Sequence, residues 1–85
     1  MNSEAMKLKI RLRTARFLTD SRRRAGFDIE TARYRLGYSS LRAITDLETG
    51  SIPLPLSEIG RIARVYEISE EDLARFFIDL YSLTC

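Results

Sequence analysis

The sequence contains no histidine, one cysteine (Cys85, the last residue), two prolines and four glycines. Without histidine it lacks the commonest general acid–base side chain. With one thiol and no imidazole it can build neither an internal disulfide nor a structural zinc site, and Cys85 reads as an ordinary exposed thiol. It has no glycine-rich phosphate loop and no recognisable nucleophile–base pair, so the expectation is a non-enzyme with no catalytic residue, metal or cofactor. No apolar run approaches the ~20 residues needed to cross a bilayer. The polar start (residues 1–5) leads into cations rather than an apolar leader segment, so no membrane association is expected and the protein is expected in the cytoplasm.

What remains is 85 residues, 45% hydrophobic and 31% charged, the composition of one folded domain with a small core. A core of that size gains from a partner surface, and a homodimer is the expected oligomer. The net charge of +2 conceals a gradient. Residues 1–27 hold eight cations against Glu4 and Asp20, whereas residues 51–85 hold Arg61, Arg64 and Arg75 against six acids. A basic front end suits a polyanion or an acidic protein surface.

Residues 7–13 alternate strictly: Leu8, Ile10 and Leu12 between Lys7, Lys9, Arg11 and Arg13. Period two is the pattern of a half-buried strand, while Leu8, Leu12 and Ala15 share a face if the segment is helical. The alternation favours a short N-terminal β-strand, which would need an edge from another chain. The chain accordingly divides into a basic extension (residues 1–13) and a helical domain (residues 14–85).

A first helix is expected from Thr14 to Ala25, facing inward with Ala15, Leu18 and the stems of Ser21 and Arg22 and ended by Gly26. Asp28 caps a second, with Ile29, Ala32, Arg33 and Leu36 on one side and Gly37 at its end. Ser39 or Ser40 caps a third, whose inward residues are Leu41, Ile44 and Leu47 and which Gly50 closes. Pro53 and Pro55 mark a loop, with Pro55 near the start of a fourth helix carrying Ile59, Ile62, Ala63, Val65 and Tyr66. Ser69 and Asp72 are a capping signature for a fifth helix. Glu70, Glu71 and Asp72 suit its positive dipole end, and Leu73, Phe76, Phe77, Leu80 and Tyr81 form its apolar side. The fold class is all-α.

Residues 17–77 resemble the lambda-repressor and Cro-like helix-turn-helix family, also called XRE. The resemblance is carried by Arg22, Gly26-Phe27-Asp28, Leu36-Gly37-Tyr38, the run Ile44-Thr45-Asp46-Leu47-Glu48-Thr49-Gly50, Arg61-Ile62-Ala63-Arg64 and Ile68-Ser69. It implies five helices with a helix-turn-helix over residues 28–50, and an ion pair between Arg22 and Glu48. It also implies a transcriptional regulator whose third helix, about residues 39–49, enters the major groove of double-stranded DNA. The contacting residues would be Ile29, Arg33, Ser39, Ser40, Leu41, Arg42, Thr45 and Asp46, with Arg22, Arg23 and Arg24 on phosphates.

Some positions depart from the family pattern. Ile29 stands where a glutamine is common, Arg33 where a small residue is common, and Thr49, Ser51 and Ile52 where cations are common. The third helix is net negative, and Asp46 is repulsive towards phosphates. A second function therefore stays open: an anti-activator that keeps the fold but sequesters a transcription activator protein. It would use Ile29, Leu41 and Ile52, the aromatic last helix, or the strand at residues 7–13.

Overall fold

In the computed structural model, which describes residues 3–84, five α-helices and one 3-10 turn account for all the regular structure of the described residues. They are α1 (Ser3–Arg24), α2 (Ile29–Leu36), α3 (Leu41–Thr49), α4 (Ile59–Val65), entered through the 3-10 turn Leu56–Glu58, and α5 (Glu70–Ser82). No helix among the described residues is long and apolar enough to cross a membrane.

The expected strand at residues 7–13 is absent. The segment is the middle of α1, which begins at Ser3 and not at Thr14. Two physical reasons decide this. A lone strand leaves its N–H and C=O groups unpaired, whereas a helix pairs them within the segment. Lys, Leu and Arg, six of the seven residues from 7 to 13, are also strong helix formers. At 22 residues α1 is ~33 Å long at 1.5 Å per residue. It accounts for most of the molecule's longest dimension of 40 Å.

The core is Leu18 from α1, Ala32 and Leu36 from α2, Ile44 and Leu47 from α3, and Ile62 and Tyr66 at α4, with Phe17, Phe27, Ile29, Tyr38, Leu54, Val65 and Ile68 packed around it. Leu41, expected inward, is exposed: it opens α3 at the edge of the turn, before the helix meets α1 and α2. Only Phe76 of the α5 aromatics is buried, its ring stacked on Phe17 with centroids 4.1 Å apart. Phe77 flanks the buried side of α5, bordering a hollow shared with Phe17, Leu18 and Leu54 yet partly exposed, and Tyr81 is exposed.

Several helix ends share one device, an N–H bonded five residues back across a left-handed residue. It recurs as Phe27 to Arg22, Tyr38 to Arg33, Ser51 to Asp46 and Ile68 to Ala63. The left-handed residue is Gly26, Gly37 and Gly50 in the first three cases and Glu67, at φ 56°, in the last. Ser69 caps α5 as its signature predicts, its hydroxyl accepting from the Asp72 amide at 3.0 Å.

Candidate nucleic-acid interface

The helix-turn-helix is assembled around Gly37. Asp28 starts α2, its carboxylate accepting from the Thr31 amide at 2.7 Å, and the Thr31 side chain, then this amide, hold the Asp28 carboxyl below its ordinary range. Gly37 ends α2 in the left-handed conformation (φ 74°), which turns the chain within four residues into α3. Arg33 ties this turn together. Its Nε donates to Glu30 at 2.8 Å and its Nη1 to the Tyr38 carbonyl at 2.9 Å. The Tyr38 hydroxyl donates to Glu58 Oε1 at 2.9 Å, and Arg61 pairs with the same oxygen. Burial, then Glu58, pushes the Tyr38 phenol upward in pKa, while Arg61 and Tyr38 hold the Glu58 carboxyl down.

The far end of α3 is anchored by Glu48. Arg22 Nε reaches its two carboxylate oxygens at 2.9 and 3.0 Å, the Thr19 hydroxyl donates at 3.1 Å and the Tyr66 hydroxyl at 2.7 Å. The ion pair is nearly closed to solvent, with side-chain exposures of 11% for Arg22 and 5% for Glu48. Arg22 also donates from Nη1 to the Phe27 carbonyl at 2.8 Å. The ion pair implied by the family resemblance is therefore present. Arg22, expected on phosphates, is a buried strut between α1, α3 and the start of α2. Its charge is matched by Glu48 and its donors point inward. Arg23 and Arg24 remain exposed at the end of α1, Arg24 with Asp72 at 3.7 Å.

With both ends of α3 held, its outer face is defined. Arg42 is the most solvent-exposed of its ionised side chains, at 87%, and lies 3.7 Å from Asp46 one turn on. Leu41, Thr45 and Thr49 are also exposed. The Thr45 hydroxyl donates back to the Leu41 carbonyl at 2.9 Å, and that of Thr49 to the Thr45 carbonyl at 2.8 Å. Thr45 therefore turns a methyl group and acceptor lone pairs outward, while the Thr49 hydroxyl is also hydrogen-bonded with Ser51 at 2.9 Å. Ser40 is the N-cap residue of α3 but makes no side-chain cap bond, and Ser39 beside it is exposed. Of the residues expected at the interface, Ser39, Ser40, Leu41, Arg42, Thr45 and Asp46 thus lie on or at the start of one helix face. Ile29 does not join them, being half-buried against the core, and Arg33 serves the turn. Thr49 shares the face and was not among the expected contacts, although its spacing of four from Thr45 would have found it.

A family model described as a helix-turn-helix domain matches residues 13–76. The chain belongs to that helix-turn-helix family. The match takes in the Glu48 anchor, the Gly37 turn and all of α3, and leaves out the first ten residues of α1 and the end of α5. Neither a curated protein nor a solved structure matches the chain. Membership of a helix-turn-helix family points to a DNA-binding regulator and to nothing finer.

Proposed function

We propose that the protein regulates transcription by inserting α3 into the major groove of double-stranded DNA. The observation that carries this is the exposed Arg42 in the first turn of a helix clamped at both ends. A guanidinium there can form paired hydrogen bonds with guanine O6 and N7. Its ion pair with Asp46 is long and solvent-exposed, hence weak enough to open for a base. Asp46 can accept from a cytosine amino group, Thr45 offers an acceptor and a methyl, and Ser39 and Ser40 reach bases or phosphates near the helix start. Arg23 and Arg24 supply phosphate contacts.

We further propose a homodimer. Phe77, Ile78 and Tyr81 lie on one side of α5, and Ile78 and Tyr81 are 67% and 71% exposed. Two-fold symmetry would set two copies of α3 on half-sites about one helical turn apart.

The test is amide NMR of the labelled protein with duplex DNA from its own upstream region, at low and moderate salt. Shifts centred on residues 39–49 that survive moderate salt are expected. Arg42→Ala should relax preference at one base position by about 1–3 kcal/mol. Shifts that vanish with salt and do not distinguish scrambled DNA would remove DNA as the ligand. A transcription activator protein would then be the partner sought for this face, with Leu41 and Ile52, 43% and 39% exposed, as its anchors.

A further inference from the structure

A cluster of positive charge without an acidic partner lies away from the outer face of α3. Arg11, Thr19 and Arg22 face α3, where they bond Gly50 and Glu48. Lys9, Arg13 and Arg16, at spacings of four and three, form a different face of α1, beside α5. With Leu12 and with Leu83 just past the end of α5, these three cations line an open cavity of about 280 Å³. No acid among the described residues comes within ion-pair distance of them. Leu12 is half exposed, so an apolar floor lies beneath a cationic rim.

We propose that this cavity is a docking site for an acidic, amphipathic protein segment, which inserts an apolar side chain over Leu12 and Leu83 and sets carboxylates against Lys9, Arg13 and Arg16. Charge complementarity selects the occupant. The volume lies below the ~300–1,000 Å³ typical of small-molecule pockets, and the site is open on one side. That suits one or two projecting side chains better than an enclosed ligand. A nucleic-acid strand fits poorly. The hollow that continues along α1 and α5 holds Asp20 and Asp79 beside Arg13, Arg16, Phe17, Phe76 and Leu80, so a run of phosphates would meet carboxylates. A peptide can confine its acids to the cationic end and leave apolar groups for the rest. Lys9, Leu12 and Leu83 lie outside residues 13–76, so the site is largely this chain's own addition to the helix-turn-helix domain. It does not depend on how α3 is used.

The experiment is amide NMR on the full labelled chain with three probes. The first is a short helical peptide with Leu and one Phe on one face and Glu and Asp on the other. The second is the same peptide with Lys for each acid, and the third is heparin, a polyanion without apolar groups. The acidic peptide should shift the amides of residues 9–16 and 83 and still do so at roughly 0.15 M salt, where the Debye length is ~8 Å. The Lys peptide should leave these amides unmoved. Arg13→Glu with Arg16→Glu, and separately Leu12→Asp, should each weaken the acidic peptide about tenfold or more while circular dichroism stays helical. Four results would each overturn the proposal: no shift with the acidic peptide, equal shifts with the Lys peptide, the same shifts with heparin at that salt, or the same shifts on raising protein concentration alone, which would make a second copy the occupant. The probe comparison on the unaltered chain decides the matter even if a variant fails to fold.

Discussion

Glu48 shows how one side chain can set the geometry of a recognition helix. It is nearly closed to solvent, yet its carboxylate accepts from Arg22, Thr19 and Tyr66, which come from α1 and from the end of α4. Removing one member of such a group leaves a buried charge or acceptor unmatched, a loss of ~3–5 kcal/mol for a buried ion pair. Tyr66 gives the network a pH dependence. Burial, then the hydrogen bond to Glu48, raises its phenol well above the ordinary value of 10.0, because ionisation would place a second negative charge beside the carboxylate. Tyr38, raised by its own burial and by Glu58, acts in the same direction. For a group whose folded pKa is raised, the contribution to stability is complete below the unfolded pKa and is lost as pH climbs through the interval above it. The unfolding free energy from urea titration should therefore hold to about pH 10 and then fall, by at most ~1.4 kcal/mol per pH unit for each group. Tyr66→Phe should start lower at pH 8 and fall less steeply from pH 10 to 11. An equal slope would place the alkaline loss elsewhere.

At the scale of elements, the ends of the helices are as informative as their faces. Gly37 and Gly50 both end helices with positive φ, but their surroundings differ. A Cβ on Gly37 meets nothing within 4 Å, whereas one on Gly50 would meet Leu12 Cδ2 at 3.0 Å and the Arg11 carbonyl oxygen at 3.3 Å. Arg11 Nε also donates to the Gly50 carbonyl at 3.1 Å, so α1 is seated directly on the end of α3. Gly37→Ala should cost about 1–2 kcal/mol, the penalty of the left-handed conformation. Gly50→Ala should cost that and an overpacking term, about 2–4 kcal/mol together. Thermal denaturation of the two variants measures the difference, and equal losses would mean that α1 gives way freely at Gly50. The turn glycines, the Asp28 and Ser69 caps and the order of the helices were legible in the sequence, because each is set by residues within one turn of the chain. The form of residues 7–13 was not. Alternating Leu and Lys or Arg satisfies a strand, and the same residues form a helix with Leu8, Leu12 and Ala15 aligned.

For the whole molecule, charge and apolar surface are distributed over three faces. The outer face of α3 carries Arg42 and the threonines, the α1–α5 cavity carries Lys9, Arg13 and Arg16, and the exposed side of α5 carries Phe77, Ile78 and Tyr81. If the last of these joins two copies, Ile78→Asp should convert a dimer to a monomer in sedimentation velocity. It should also reduce binding to a two-half-site duplex far more than to a single half-site, since only the linked pair gains from effective concentration. A wild-type chain that sediments as a monomer at about 100 μM would exclude that face as the dimer contact.

By itself the sequence determined the all-helical class and the helix-turn-helix between Asp28 and Gly50, and its family resemblance implied an ion pair between Arg22 and Glu48. These follow from local rules of capping, turning and periodicity and from a family pattern spread over most of the chain. Only the tertiary structure decided that α1 runs unbroken from Ser3, that Arg22 is buried as a strut on Glu48, and that Leu41 is exposed while Ile29 packs on the core. For α1 the helix pairs the backbone groups that a lone strand would leave open; the other two share one reason. Whether a side chain is buried depends on which neighbouring element reaches it, and no spacing within a single helix carries that information.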